Sequence, residues 1–230
     1  MIEPGGALLL LLLLAAWVAL DGTSFAQIMV SRPVVAGTLA GWILGDPGTG
    51  FLVGGLLEAA HLGAVPIGAA RLAEPGPAAI PAVAAAVWLG GAGGIGIGVA
   101  LGVVWSVLGG ASTVAQRRFN GAIVGGLDEG KGSAGALVRR HLACVTLDAL
   151  RGVFLVALGL AVALLLPPSL ARVWAVSEPS TVAFLALPGA FAGGSLFRRW
   201  SVASGGGRWG AFLFACGLLA GWLLGSGTAG

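Results

Sequence analysis

Residues 78–116 read AAIPAVAAAVWLGGAGGIGIGVALGVVWSVLGGASTVAQ, without a single Asp, Glu, Lys or Arg. A soluble surface cannot be built from such a stretch, because water has too few charges to meet. A hydrocarbon core about 30 Å thick, by contrast, is crossed by a helix of about 20 apolar residues. The rest of the chain agrees. Of its 230 residues 57% are hydrophobic and 9% charged, where a soluble domain carries about 25% charge. Mean hydropathy is +0.99. Ala7 to Leu20 is a second uncharged run. The expected fold is therefore all-α: a polytopic membrane helical bundle, with short re-entrant or broken helices in its N-terminal half, forming one integral membrane domain over residues 1–230.

The N-terminal run could pass for a secretory signal. Its first residues, Met1-Ile2-Glu3, lack the Lys or Arg such a signal needs, so it reads as a retained first membrane segment. The 42 glycines stand among apolar residues rather than serines. That pattern suits close helix contacts and interrupted membrane helices. Helices are expected at 6–20, 143–166, 180–197 and 209–225. One or two more are expected within 78–116, broken at Gly90–Gly94. Two short apolar stretches, 33–45 and 50–63, flank Gly45-Asp46-Pro47-Gly48 and read as a hairpin, since each is too short to span alone.

The net charge of +3 comes from clusters. Arg117, Arg118, Lys131, Arg139 and Arg140 form one, in the most polar segment, 117–141. Arg198, Arg199 and Arg208 form another. Two expected spans separate them, so both fall on one side, the cytoplasmic side by the Lys/Arg bias. No basic stripe is interleaved with aromatics, which excludes nucleic acid as a partner. Cys144 and Cys216 lack metal-ligand spacing and read as small buried hydrophobes. The glycine run 90–98 has no Lys beside it and is not a phosphate cradle. No catalytic set, metal site or cofactor is expected.

The chemistry concentrates in residues 21–80. There Asp21, Gln27, Arg32, Asp46, Glu58, His61, Arg71 and Glu74 punctuate apolar, glycine-rich sequence. An ionisable group at membrane depth is costly and faces a cavity or a partner. Glu58 is the leading candidate, with His61 three residues on and so on the same helix face. A carboxylate among neutral polar groups supplies acceptors for hydroxyl donors. Gln27, Asp46, Arg32, His61 and Glu74 complete the candidate substrate-binding set. Each has a plainer reading. Glu58 could pair with Arg32 or His61 in helix packing. Asp46 could only form a turn. Arg32 could anchor at the interface, and His61 could be a satisfied core histidine. Tryptophans read as interface anchors, Trp42 being the one near the candidate site. Asp128-Glu129 reads as a solvated loop, and Asp148 with Arg151 as an intrahelical pair.

These residues fall in a recognisable order. Ser31-Arg32-Pro33-Val34-Val35-Ala36-Gly37-Thr38-Leu39 precedes Gly45-Asp46, then Gly54-Gly55-Leu56-Leu57-Glu58, Leu62-Gly63 and Ile67-Gly68-Ala69-Ala70, with Glu74 following. The series resembles the C component of mannose-family sugar phosphotransferase systems over residues 20–82. The family's Pro-Asp after Ile-Gly-Ala-Ala is replaced here by Glu74 ahead of Pro75, with Arg71 between, and a buried Arg71–Glu74 pair is one expectation. The resemblance implies a permease subunit in a bacterial cytoplasmic membrane that moves a hexose-type sugar of the mannose, fructose or sorbose class. It implies a membrane D component as partner, soluble A and B components that carry the phosphoryl group, and a trimer of C–D pairs. It also implies that His61 and His141 are not phosphorylated. A scaffold or sensor that docks the soluble components without transport, and an unrelated small-solute carrier, are the alternatives.

Overall fold

The computed structural model describes residues 4–62, 73–125 and 133–173, with Gly194 and Cys216 beyond them. The described residues are helical, with no strand among them. The helices expected at 180–197 and 209–225, together with Arg71, Asp128 and Glu129, lie outside them.

α1 (Pro4–Thr23) is the first apolar helix. The hairpin expected at Gly45–Gly48 is present as α2 (Pro33–Leu44) and α3 (Pro47–His61). Each begins with a proline at its first turn, where the missing N–H leaves no bond unmade. α2 ends on Gly45 at φ 86°, a left-handed position that glycine adopts without strain. Asp46 then caps α3, accepting from Thr49 N at 2.9 Å and from Thr49 Oγ1 at 2.7 Å. At 12 and 15 residues the two helices are about 18 and 22 Å long, short of a bilayer. They pack backbone on backbone. A Cβ on Gly37 would lie 2.8 Å from the Gly50 carbonyl oxygen, and one on Gly50 would collide with the Gly37 carbonyl.

α4 (Pro75–Leu89) is the centre of the bundle. It packs against α1, α2, α3, α5 and α6, and Pro77, Ile80, Pro81 and Val83 are wholly enclosed. A helix apolar all round belongs in such a position. Val18 of α1, Val53 and Leu57 of α3 and Val156 of α6 close on it from three neighbours. The interruption expected within residues 90–94 is a single junction at Gly90, φ 70°. α5 (Gly91–Val124) and α6 (Ala134–Leu165) follow, and Ser133 caps α6. Within the polar segment 117–141, residues 117–124 and 134–141 are thus helical. α6 stops before Pro167-Pro168, and the short α7 (Ser169–Val173) follows.

α1, α5 and α6 are long and apolar enough to cross a membrane. Their outer faces expose Leu9, Leu13, Val104, Val107, Leu150 and Phe154, a continuous apolar exterior that water would not tolerate.

Candidate functional site

Inside this apolar bundle the polar side chains meet in pairs and small clusters. Arg32, at the start of α2, forms an ion pair with Glu58 of α3 through its Nη2. Glu58 Oε2 also accepts from Val34 N at 3.2 Å, so the carboxylate spans the open end of the hairpin. One turn on, His61 Nε2 lies 3.0 Å from Ser106 Oγ of α5. His61 Nδ1 faces the Leu57 carbonyl at 2.7 Å and so carries a proton there. Ser106 is fully enclosed. Its carbonyl accepts from Glu74 N at 2.8 Å, which brings the start of α4 to the same place.

Glu74 occupies the cap position of α4, but its carboxylate does not cap. It meets Arg151 of α6 in a two-pronged pair: Nη1 to Oε2 at 2.7 Å and Nη2 to Oε1 at 2.9 Å. That fork geometry is the strong form of an arginine–carboxylate bond. Thr113 Oγ1 donates to Oε2 at 3.0 Å. Arg151 also donates from Nε to Asp148 Oδ1 at 3.0 Å and from Nη1 to Ser112 Oγ at 2.8 Å. Asp148 Oδ2 accepts from Thr23 and, at 3.3 Å, from Ser24. The side chains of Arg151, Glu74 and Asp148 are 9%, 15% and 8% exposed. Charges this enclosed are stable only when paired and hydrogen-bonded, and the triad satisfies both conditions.

Beside the triad lies a cavity of about 320 Å³, lined by Ser31, Glu74, Thr113 and Arg117 among others. Ser31, near the end of the loop after α1, forms part of one wall. Ala26, Gln27 and Met29 have φ of 68°, 49° and 69°, a region uncommon for residues with a side chain. Asp21, itself buried, holds the loop by accepting from Ile28 N at 2.6 Å and Ser31 N at 2.8 Å.

The structure therefore pairs Arg32 with Glu58 and, separately, joins His61 through Ser106 to the backbone of Glu74. Gln27 stands on the exposed loop that Asp21 anchors. Asp46 is at the opposite end of the hairpin; Glu58 is about 18 Å farther along α3 at about 1.5 Å per residue. Trp42 is 72% exposed and lines an apolar groove with Leu13, Trp17 and Ile43. The Asp148–Arg151 pair is present and extends to Glu74; the Arg71–Glu74 pair that was one expectation falls on a residue outside the described ones. Arg151 and Asp148 were missed as members of the site. A signal was available: both are ionisable residues within a span, the criterion that singled out Glu58.

Comparison with known proteins follows the same lines. Residues 7–173 match the family model described as the sorbose-specific IIC component of the PTS system. The chain is similar to the PTS system mannose-specific EIIC component of Escherichia coli K12, at 30% identity over 145 residues, 62% of this chain and 54% of that one. It thus spans about half the length of the curated relatives it matches. A solved structure described as a membrane protein has the same fold, with a TM-score of 0.70 over 99% of this chain and 92% of its own, at 22% identity. The mannose transporter ManYZ, seen by cryo-electron microscopy in complex with microcin E492, gives a TM-score of 0.57 at 25% identity, over 96% and 88% of the two chains. With residues 7–173 of the 230 inside the family match, the chain belongs to the family of sorbose-specific IIC components of the phosphotransferase system.

Proposed function

We propose that this chain is a membrane permease subunit for a hexose-type sugar of the mannose, fructose or sorbose class, in a phosphoenolpyruvate-dependent phosphotransferase system. The observation that carries the reading is a set of enclosed polar side chains in apolar helices: Glu74, paired with Arg151, lines a cavity of about 320 Å³, His61 meets Ser106 next to the start of α4, and Glu58, paired with Arg32, stands one turn before His61 on α3. Intramembrane ionisable groups mark solute pathways, and a cavity of this size falls in the range of about 300–1,000 Å³ typical of small-molecule sites. Glu58 and Glu74 supply acceptors for sugar hydroxyls. Arg32 and Arg151 hold those carboxylates in place. Gln27 and His61 supply neutral polar contacts, and Asp46 contributes through the turn it caps. The relatives' mannose and sorbose specificities support this substrate class. The chain acts as a single domain in a bacterial cytoplasmic membrane, with the Arg117–Arg140 end inside. A membrane D component completes the path, and soluble A and B components supply the phosphoryl group.

The test is sugar uptake in cells lacking their own mannose-type permease, with this chain expressed beside its neighbouring components. Uptake of mannose or sorbose is expected, and Glu58→Gln should abolish it at normal membrane expression. Absence of uptake for every common hexose and amino sugar would overturn the transport reading in favour of a membrane scaffold or sensor.

A further inference from the structure

A second cavity adjoins the first. It too measures about 320 Å³, and Gln116, Asn120, His141, Cys144 and Asp148 line it. Gly22, Thr23, Thr113 and Arg117 line both cavities. Two helix faces produce this arrangement. On α5, Ser106, Gly110, Thr113, Arg117 and Asn120 recur at intervals of three and four. On α6, His141, Cys144, Asp148 and Arg151 do the same. Such spacing puts each set on one side of its helix. The other sides carry exposed Val104, Leu108, Leu142, Leu150 and Phe154. Two helices of membrane length thus turn polar faces toward each other, from the buried triad to the basic end of the bundle. Polar faces turned inward between apolar helices line a solute or water path.

We infer that these two faces form the inner part of a solute path, with a second binding subsite at Gln116, Asn120 and His141 for a neutral polyhydroxylated molecule. The formal charges at the junction give the ligand class: Glu74 and Asp148 are balanced by Arg151 and Arg117, so the site has no net charge with which to select an ion. What remains are amides, hydroxyls and an imidazole, groups that match a polyol's alternating donors and acceptors. Gln116 Nε2 donates to Asn120 Oδ1 at 2.9 Å. That bond orients both amides and leaves the Asn120 nitrogen to donate and the Gln116 carbonyl to accept. The Thr23–Asp148 and Thr113–Glu74 bonds stand between the two cavities, as a constriction the solute passes. The inference deepens the permease reading by placing a second stop on the path of the same sugar.

Cys144 is a native reporter in the wall of this subsite. With Cys216→Ala removing the other thiol, membranes carrying the full chain and its neighbouring components are treated with a water-soluble methanethiosulfonate, and the rate of Cys144 modification is measured. Modification is expected. Mannose or sorbose at about ten times its dissociation constant should slow it about tenfold, by simple occupancy. Asn120→Leu should remove that protection, and Gln116→Leu serves if the first variant fails to reach the membrane. A Cys144 that reacts only with a lipid-permeant maleimide, or that neither sugar protects, would overturn the subsite. Protection undiminished in both variants would do the same, since the sugar would then act from the first cavity alone. Uptake without protection removes the subsite and leaves the permease reading. Protection lost in the variants, in a system with no uptake, keeps the subsite and removes that reading.

Discussion

The α2–α3 hairpin and the α5–α6 pair are both rich in glycine, yet opposite means hold them together. In the hairpin, glycine removes side chains from the contact, so that Gly37 and Gly41 meet Gly50 and Gly54 backbone to backbone. Its one charged contact is at the open end, where the side chain of Arg32 is 49% exposed. Between α5 and α6 the contact is made by polar side chains. Arg151 reaches Ser112, Arg140 Nη1 donates to the Ile123 carbonyl at 2.9 Å, and Trp105 Nε1 donates to the Leu155 carbonyl at 2.9 Å. Lipid offers no hydrophobic drive for helix association, so shape and hydrogen bonds must supply it. The hairpin uses shape. The α5–α6 pair uses hydrogen bonds, whose groups can also be offered to a solute.

The largest expected effect lies on the hydrogen-bonded side. Arg151→Leu strips the partner from two enclosed carboxylates, Glu74 and Asp148. Removing one member of a buried ionic set costs about 3–5 kcal/mol. Thermal unfolding of the detergent-solubilised chain should show a loss of that size. Adding Glu74→Gln and Asp148→Asn to the same variant should recover most of the stability, though not the uptake. A loss below about 1 kcal/mol would mean that the triad is as well hydrated as a surface pair, and the contrast with the hairpin would fail.

A smaller loss is expected on the shape-held side. Gly50→Ala places a methyl group against the Gly37 carbonyl, and overpacking of that kind costs about 1–3 kcal/mol. Gly55→Ala is the control: it lies in the same helix with nothing within 4 Å, and should be neutral or stabilise by about 0.5–1 kcal/mol, the helix preference of alanine over glycine. Equal losses from the two variants would show that helix propensity rather than contact decides.

The same contrast governs what the sequence made legible. The hairpin could be located from Gly45-Asp46-Pro47 because its determinants are local: a left-handed glycine, a capping carboxylate and a first-turn proline occupy consecutive positions. The Gly90 junction was legible for the same reason. Length and apolarity identified the membrane helices, since a bilayer reads little else. The Glu74–Arg151 pair was not legible, because 77 residues separate its members. Local spacing pairs Asp148 with Arg151 at i+3 and offers Arg71 as one partner for Glu74, but it reaches no farther along the chain. The same limit applies to Ser106. A serine in an apolar helix carries no signal, and only packing shows that it joins His61 to Glu74.

The smallest effect separates two readings of Asp46. As a cap it accepts from Thr49 N and Oγ1, bonds that the carbonyl of an asparagine makes nearly as well. Loss of a cap costs about 1 kcal/mol. Asp46→Ala should therefore lower thermal stability by about that amount, while Asp46→Asn retains it. Uptake is the deciding measurement. If Asp46 acts only through the turn, Asp46→Asn transports as well as the parent, and Asp46→Ala differs from it mainly in the amount of folded protein. If its charge serves the solute directly, uptake by Asp46→Asn falls although the hairpin remains intact. That second outcome would bring the far end of the hairpin onto the sugar's route, about 18 Å from Glu58 at about 1.5 Å per residue, and the shape-held unit would then serve the substrate at both ends.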